Sequence, residues 1–491
     1  MESLSDTLWD VVICGTGLQQ SLLALALSRS DKKILHLDPN EFYGGAEAAF
    51  SLQDAELWAN RISAGSGGIF SAVSIEKPEG ATGLSSSRAY SLALAPQLIH
   101  ARSALLSQLV SSRAYRQVEF LAVGSFYIFK PPQDPSQQPS LTRIPSTREE
   151  VFSTTAVSAK AKRLLMKFLK FVLDYENSPQ LEVWKPHANA LLTDLLQQEF
   201  KMDAELQTYI VTLTLSLDGK ISTKDGLAAI RRHLSSMGVY GPGFAAIYPK
   251  WGGLSEIAQV ACRAGAVGGA VYMLGTGIKE METVEGEVKI QLTSGDTVKT
   301  RMFVRADDSP GDKTGITRLV AVVGSPLNPL FEGVVEGAPR PAVAVSAFPA
   351  GSLSVSGKAS KYPVYLSAHS SDTGECPTQQ SVLYLTTLSS ADAKATLNLA
   401  LDTFLGAVIQ GQTPQVLYKL QYDQLAGSHR SQSDTSLFTF PAPLSSLSFS
   451  DSTLEPVHEA WKKIMGEAAV EADYMTFTDR EGAMDDDDVY E

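Results

Sequence analysis

The sequence Trp9-Asp-Val-Val-Ile-Cys-Gly15-Thr-Gly17-Leu18 opens the stretch that decides the fold, and Leu37-Asp38-Pro-Asn-Glu-Phe-Tyr43-Gly44-Gly45 closes it. Residues 11–14 form an apolar run that is short enough for a buried parallel strand. Two glycines and a helical pattern come next, and a second apolar run ends on Asp38. This order of strand, glycine turn, helix, strand and acid predicts a dinucleotide-binding unit, with a phosphate expected at the helix N-terminus.

The glycine fingerprint of that unit is incomplete. Gly15 and Gly17 are present, but Gln20 replaces the third glycine, which would let helix and strand pack closely. A degenerate motif of this kind supports the fold better than it supports a bound nucleotide. The sequence therefore predicts that Gly15, Gly17 and Asp38 are vestiges of a dinucleotide motif and that the protein carries no cofactor.

The same stretch resembles the first segment of a known family. Gly15-Thr-Gly17-Leu18 and Leu35-His-Leu-Asp38-x-Asn40-x-x-Tyr43-Gly44-Gly45 are similar to the Rab GDP dissociation inhibitors and Rab escort proteins, which share ancestry with flavin oxidases but bind prenylated small GTPases instead of FAD. The resemblance extends to about residue 310. It implies an α/β protein with an FAD-oxidase-like, dinucleotide-binding-type domain, a mixed sheet and an inserted all-helical domain.

Length and charge restrict the class of protein. At 491 residues the chain is too long for one ordinary core, so two domains are expected. A net charge of −13 argues against a nucleic-acid-binding surface. The acidic N-terminus lacks the basic start of a signal peptide, no apolar run has the length of a membrane span, and the C-terminus has no cysteine for prenylation. These features predict a cytoplasmic protein whose membrane contact is transient.

The sequence contains no recognisable catalytic constellation. Its seven histidines show no nucleophile–base or metal-ligand spacing, and His36 lies inside a strand pattern, as a core histidine would. Cys14, Cys262 and Cys376 have neither metal spacing nor the pattern of a disulfide framework. We therefore expect a protein that is not an enzyme and has no metal site.

Changes in periodicity predict the domain boundaries. The predicted units are the first part of the dinucleotide-type domain (1–140), the helical insert (141–220), the second part of the dinucleotide-type domain (221–470) and an acidic disordered tail (471–491). Within the first part, the Gly- and Ser-rich segment 61–87 is expected to be an insertion or mobile loop, and a helix is expected to begin at Pro96.

One predicted helix of the insert, at residues 156–176, is apolar over most of its surface. Arg163, Lys167, Lys170 and Asp174 form a narrow polar stripe. A helix of this kind needs burial on two sides, either in an ordinary helical core or against a ligand. The family resemblance implies that the insert encloses a geranylgeranyl lipid. The residues expected to line the prenyl pocket are Leu165, Phe168, Leu169, Val172, Leu192 and Leu195.

The resemblance also implies a GTPase-binding platform on the dinucleotide-type domain. The matching positions are Tyr43 before the double glycine, Arg88, Glu256, Arg263 and Met273. Glu256 and Arg263 are two helical turns apart, so they share one face, although an ordinary helix-surface pair would show the same spacing. One position departs from the family pattern: Val271 stands where a threonine is expected.

Three functions remain compatible with these patterns. Segments starting at Arg163 and Ser222 look like those of escort proteins, which bind GDP-bound Rab GTPases, present them to the Rab geranylgeranyltransferase heterodimer and deliver the prenylated product to membranes. The alternatives are a dissociation inhibitor that recycles prenylated Rab proteins and an FAD-dependent oxidoreductase of the amine oxidase type. His233 stands where animal escort proteins place a phenylalanine that plugs into the transferase. We therefore take His233 as the candidate for transferase contact.

Overall fold

Two large β-sheets, the helices that pack on them and a helical insert make up most of the part of the chain that the structure describes. The structure is a computed structural model, and it describes residues 4–65, 68–78, 82–132, 139–145, 151, 158–284, 286–307, 315–333, 336–409, 413–426 and 431–478. The fold class predicted from the sequence is confirmed, since parallel and antiparallel strands mix within a dinucleotide-type domain and helices interrupt it.

The first sheet contains the predicted strand–helix–strand unit. Strand β1 (Leu8–Cys14) pairs in parallel with β2 (Ile34–Asp38), and helix α1 (Leu18–Leu27) connects them. The strand order is β10 (Val271–Leu274), β2, β1, β13 (Thr297–Ala306), β12 (Glu287–Leu292) and β11 (Ile278–Val284). The C-terminal half of β13 also pairs with β22 (Leu437–Phe440), and β22 pairs with β21 (Gln432–Ser433). Every residue of α1 is buried because helices α9 (Leu254–Val267) and α11 (Glu455–Met465) pack against it.

The second sheet is largely antiparallel. Its order is β4 (Phe70–Glu76), β20 (Val416–Gln424), β14 (Ile316–Val323), β19 (Ser381–Leu388), β18 (Val364–Ser370), β15 (Val343–Phe348), β7 (Phe120–Lys130), β9 (Ala246–Pro249) and β6 (Ile99–His100), and β8 (Ser140–Arg143) also pairs with β7. Helix α10 (Ala393–Val408) packs on β14 and β19, and α2 (Leu52–Ser63) packs on β4. Two short antiparallel pairs complete the strands: β3 (Ala49–Phe50) with β5 (Leu92–Ala93), which are distant in sequence, and the hairpin of β16 (Ser354–Val355) and β17 (Lys358–Ala359).

The helices of the insert lie between β8 and β9 in the chain. They are α4 (Ala159–Leu173), α5 (Gln180–Trp184), α6 (Leu192–Gln198), α7 (Ala204–Leu213) and α8 (Thr223–Ser236). Side-chain oxygens of Ser158, Asp203 and Ser222 cap the N-termini of α4, α7 and α8. Helix α8 packs against α4, α6 and α7 although it follows the proposed boundary at residue 220. The domain boundaries themselves stay a prediction.

Two local predictions in the first part of the chain are wrong. Residues after Pro96 form the short strand β6, and helix α3 (Ala104–Ser111) begins only at Ala104, because the backbone at Leu98 and Ala101 pairs with distant segments. In the segment 61–87, expected to be an insertion or mobile loop, the described residues include the end of α2 and strand β4, so they are not one continuous loop, and residues 66–67 and 79–81 lie outside the described residues. Pairing with β20 provides the hydrogen bonds that hold β4 extended.

The last described residues pack onto the helices of the first sheet. Met475 is only 1% exposed, and the backbone N–H of Phe477 donates to the carbonyl of Ser111 at 3.0 Å. Residues 479–491, most of the predicted acidic tail, lie outside the described residues. Across the described ranges, no helix is both long and apolar enough to cross a membrane.

Candidate binding sites

Asp38, the acid at the end of β2, accepts hydrogen bonds from groups within the protein. The backbone N–H and the hydroxyl of Thr16 both donate to Oδ2 of Asp38 at 2.7 Å, and the backbone and side-chain amides of Asn40 donate to Oδ1 at 2.7 and 3.0 Å. Burial raises the pKa of Asp38, and these hydrogen bonds oppose that rise. In a dinucleotide-binding protein the acid at this position accepts a hydrogen bond from the ribose of the cofactor. Here both oxygens of the Asp38 carboxylate already accept hydrogen bonds from the protein itself.

The N-terminus of α1 is closed by side chains of this chain. Oε2 of Glu47 accepts a long hydrogen bond, 3.4 Å, from the backbone N–H of Leu18. The amide of Gln20 lies so close to the turn that a methyl group on Gly15 or Gly17 would be 3.0 Å from it. A carboxylate at the helix N-terminus takes the place that the pyrophosphate of FAD would occupy. These residues do not fit the cofactor, although Gln20, Asp38 and Glu47 themselves line an open cleft of about 840 Å³.

We expect the purified protein to be colourless. Its absorbance spectrum should lack the bands of oxidised flavin, and added FAD should keep the fluorescence of the free molecule, because Glu47 would repel the pyrophosphate and Gln20 would obstruct it. A yellow preparation, or quenching that saturates with added protein, would restore the oxidoreductase hypothesis.

Tyr43 lies beside the start of helix α9. The adjoining Gly44 has a φ of 98° and packs so closely on Ser255 that a side-chain carbon there would be 3.2 Å from the Ser255 hydroxyl. Burial raises the pKa of the Tyr43 phenol, and the nearby groups of Cys262 and Asp38 raise it further. The double glycine thus lets the β2 loop approach α9 and holds Tyr43, half-buried, against that helix.

Glu256 and Arg263 lie on α9, and Met273 lies on the neighbouring edge strand β10. Burial raises the pKa of Glu256, while the charge of Arg263 lowers it. The Arg263 side chain is exposed, and Met273 is half-buried. The hydroxyl of Tyr272 packs against Gly265, where a methyl group would lie 2.5 Å away, so β10 and α9 are in close contact. Tyr43, Glu256, Arg263 and Met273 therefore surround one edge of the first sheet.

The loop that contains Arg88 is joined to this region by contacts of the residues that follow it. Arg88 is exposed and precedes β5, which pairs with β3 just after the double glycine. Ser91 then donates to the carbonyl of Trp251 at 2.8 Å, in the loop that leads into α9. The structure thus brings the Arg88 loop, the Tyr43 loop and the start of α9 together. The binding roles assigned to these residues stay predictions.

Trp251 is a candidate that the sequence reasoning missed. Its side chain is 51% exposed in the loop before α9, with the Lys250 ammonium 5.1 Å from the ring centroid. Its backbone N–H donates to Thr373 at 2.8 Å, which fixes the loop. Exposed tryptophans are common at the centre of protein interfaces. The signal available in the sequence is a tryptophan directly before Gly252-Gly253, a pair of glycines that predicts an exposed turn.

The predicted prenyl-pocket residues separate into two groups. Leu165, Phe168 and Leu169 on α4 line a cavity of about 10 Å³ together with residues of α7 and α8, namely Tyr209, Ile210, Leu213 and Ile230. Val172, Leu192 and Leu195 are buried in the same hydrophobic cluster but do not line this cavity. The second wall of this small cavity is α7, whereas the sequence predicts α6 as the second wall of the prenyl pocket, and the lipid-binding role of both groups stays a prediction. The cavity is about the size of one water molecule, so α4 and α7 must part to admit a lipid.

His233 is buried inside the insert rather than displayed on its surface. The side chain is 1% exposed, and its ring contacts those of His100 and Phe126 at centroid distances of 5.8 and 5.4 Å. Burial, aided by the charge of Arg232, lowers the pKa of His233 to about 4. Contact between this ring and a transferase would require α8 to move. Tyr240, 54% exposed just after α8, is the more accessible aromatic residue.

A buried polar network under β9 was also missed by the sequence reasoning. Nε2 of His369 is 2.7 Å from the Ser367 hydroxyl, and Nδ1 is 2.7 Å from Oε2 of Glu375. The Tyr248 and Tyr384 hydroxyls donate to the same carboxylate at 2.7 and 3.0 Å. The order Ser–His–Glu is that of a hydrolase triad, but the adjoining cavity is only about 30 Å³. We interpret the network as a structural link between β9, β18 and β19.

The family model for GDP dissociation inhibitors matches residues 5–328, about two thirds of the chain. The chain belongs to the GDP dissociation inhibitor family. The resemblance recognised from the double-glycine segment is thereby confirmed.

Two relatives of this GDP dissociation inhibitor family member carry the name Rab proteins geranylgeranyltransferase component A. The Saccharomyces cerevisiae protein is 29% identical over 429 residues, covering 85% of this chain and 68% of its own length. The Candida albicans protein is 29% identical over 408 residues, covering 79% of this chain. The match spans 61% of the Candida protein, less than two thirds of its length.

Solved structures support the fold of this GDP dissociation inhibitor family member. Rab GDI from Plasmodium falciparum superposes with a TM-score of 0.67 at 17% identity, covering 94% of this chain and 99% of the other. An oxidoreductase from Methanosarcina mazei superposes with a TM-score of 0.58 at 10% identity, covering 92% and 99%. At these identities the likeness concerns the fold alone.

Proposed function

We propose that this member of the GDP dissociation inhibitor family is an escort protein for Rab GTPases. It binds a Rab in the GDP state, presents it to the Rab geranylgeranyltransferase heterodimer and delivers the prenylated product to a membrane. It makes no covalent bond itself. The proposal is supported by the component A name of its relatives and by the escort-like segments that begin at Arg163 and Ser222.

The observation that carries the proposal is the common location of residues distant in sequence. Tyr43, Glu256, Arg263 and Met273 surround one edge of the first sheet, and the Arg88 loop adjoins them. A half-buried carboxylate, an exposed guanidinium, a tyrosine and a methionine form a mixed apolar and charged surface suited to a protein partner. We assign this surface, the platform, to Rab binding.

The insert supplies the second part of the proposed function. A geranylgeranyl chain has about twenty carbons, so complete burial would contribute on the order of 10–16 kcal/mol before the cost of ordering the lipid and parting the helices. A single lipid chain holds a protein on a bilayer only marginally. A pocket between α4 and α7 would therefore compete with the membrane for the prenylated Rab, and the platform would add affinity for the GTPase itself.

The decisive experiment is a prenylation assay with purified Rab, transferase and geranylgeranyl donor, with and without this protein. The proposal requires that prenylation be much faster when the protein is present. An unchanged rate, combined with extraction of prenylated Rab from membranes, would instead establish the recycling dissociation inhibitor.

Arg263→Ala should weaken binding of unprenylated Rab–GDP by about 1–3 kcal/mol, because an exposed guanidinium on the platform can form charge-assisted hydrogen bonds with a partner. Isothermal titration with the wild type and the variant measures the difference. Arg340→Ala removes an exposed arginine from the loop before β15, in the second sheet, and is the matched control. Equal affinities for wild type and Arg263→Ala would reduce Arg263 to an ordinary helix-surface charge.

A further inference from the structure

Helix α4 carries a basic face that the proposed function does not use. Lys160, Arg163, Lys167 and Lys170 are exposed, and residues 159–173 contain no acidic side chain. With the helix's five cations removed, the formal charge of −13 becomes −18 for the rest of the chain. Among the described residues, none of the four exposed cations forms an ion pair with another side chain. Lys167 alone has a cation–π contact, 5.4 Å from the Phe200 ring centroid.

The spacing of these cations is unfavourable within the helix itself. Arg163 and Lys167 are four residues apart, and Lys167 and Lys170 are three apart, so like charges repel on one surface. The nearest carboxylate on this surface, Asp174 at the C-cap of the helix, is exposed and four residues from Lys170, and among the described residues no ion pair joins the two. An external anionic partner would attract these cations and so offset their mutual repulsion. The rest of the protein is acidic, so this positive surface contrasts with its surroundings.

The opposite side of the same helix lines the small cavity of the insert. Phe168 and Leu169 contribute to that cavity, and Leu173, 45% exposed, lies between it and the basic face. The helix with its side chains is only about 10–12 Å across, so the basic face lies within one helix diameter of the cavity. The aliphatic parts of lysine and arginine side chains can lie along lipid hydrocarbon while their charged groups remain in the headgroup layer. An apolar flank beside basic residues is the arrangement of helices that lie on membrane surfaces.

We propose that Lys160, Arg163, Lys167 and Lys170 dock helix α4 on a bilayer of anionic phospholipids, which holds the prenyl pocket, on the opposite side of the helix, about one helix diameter from the membrane surface. The proposal rests on the proposed function for the role of the pocket, whereas membrane attraction depends only on the charges. Each basic residue near an anionic leaflet strengthens binding about fivefold. The attraction should fall steeply with added salt, since the exposed charges are screened over about 10 Å at 0.1 M ionic strength.

The test is co-sedimentation of the full chain with vesicles of phosphatidylcholine alone or of phosphatidylcholine and phosphatidylserine at 7:3, in low salt. Wild type should bind the anionic vesicles and not the neutral ones. The triple variant Arg163→Glu, Lys167→Glu and Lys170→Glu should bind them at least about 100-fold more weakly. A neutral variant, with glutamine at the same three positions, should lie between the two.

The matched control reverses three exposed lysines elsewhere, Lys279→Glu, Lys299→Glu and Lys358→Glu. Both triple variants have the same formal net charge, −19, so the position of the charges is the only difference between them. The control should keep most of the wild-type vesicle binding. Equal losses in the two variants would overturn the proposal, as would failure of the wild type to bind anionic vesicles.

Two further measurements separate this proposal from the proposed function. Unprenylated Rab binding, measured in solution, should be unchanged in the α4 variants, and its absence in wild type would overturn the escort function without affecting the vesicle result. Binding to purified transferase identifies the competing occupant of the basic face. Loss of transferase binding with unchanged vesicle binding would assign this face to an acidic protein and reject the membrane.

Discussion

Leu169→Asp should remove most of the affinity for prenylated Rab while leaving unprenylated Rab bound. Leu169 is half-buried on α4 and lines the cavity that α4 shares with α7 and α8. A carboxylate there would face the hydrocarbon of the lipid, at a cost of about 3 kcal/mol or more, roughly 100-fold in affinity. The platform lies on the first sheet and does not depend on this side chain.

The measurement is a pair of titrations, with prenylated and unprenylated Rab, against wild type, Leu169→Asp and Leu173→Asp. Leu173 is on the same helix, is 45% exposed and does not line the cavity, so it controls for the added charge. Thermal melts check that both variants fold. If Leu169→Asp weakens the two forms of Rab equally, or if Leu173→Asp has the same effect, the pocket is not where we place it.

Acid should destabilise the protein between about pH 6.5 and pH 4 because histidines are buried in the neutral form. Burial lowers the pKa values of His36 and His233 to about 4 from the ordinary 6.5, and it lowers that of His100 as well. Between those pH values the unfolded chain binds protons that the folded chain does not, so the free energy of unfolding falls as pH falls. Each of His36 and His233 would account for a loss of about 3 kcal/mol across the whole window.

His233→Phe provides the test of this dependence. The substitution replaces the imidazole of His233, which titrates, with a phenyl ring, which does not. The two imidazole nitrogens have no hydrogen-bond partner among the described residues, so the substitution breaks no hydrogen bond there. When the pH is lowered from 7 to 5, the free energy of unfolding of the variant should therefore fall by about 2 kcal/mol less than that of the wild type. Urea denaturation at both pH values gives the difference, and His187→Phe, on the half-buried surface of the insert, controls for an added phenylalanine. The same pH dependence in wild type and His233→Phe would show that His233 is hydrated or already partnered.

The burial of His233 also changes what can be inferred about transferase binding. The family resemblance predicts that His233, on α8, stands where escort proteins carry a phenylalanine that contacts the transferase. Periodicity cannot tell which face of a helix a neighbouring helix or strand will cover, because that depends on packing partners far away in sequence. Here Phe126 from β7 and His100 from β6 cover the ring. Tyr240 therefore becomes the more direct site at which to test transferase contact.

Local sequence was sufficient for the dinucleotide-type unit and for the apolar helix of the insert. A buried strand, a glycine turn and a helix are encoded within about thirty residues, and β1 pairs directly with β2 from the same stretch. The same holds for the vestigial motif, since Gln20 is visible in the sequence and its side chain does lie against Gly15 and Gly17. The family could be recognised for the same reason, because its first segment is continuous in the chain.

Only the tertiary structure decided which distant residues meet. Glu47 closes the N-terminus of α1 from 29 positions away, and α7 rather than α6 forms the second wall of the small cavity. The contact of Trp251 with Ser91 and the carboxylate network of Glu375 likewise join segments far apart in sequence. Composition and periodicity determine which surfaces of an element are apolar or charged. They do not determine which other element covers each surface, because that choice depends on the packing of the whole chain.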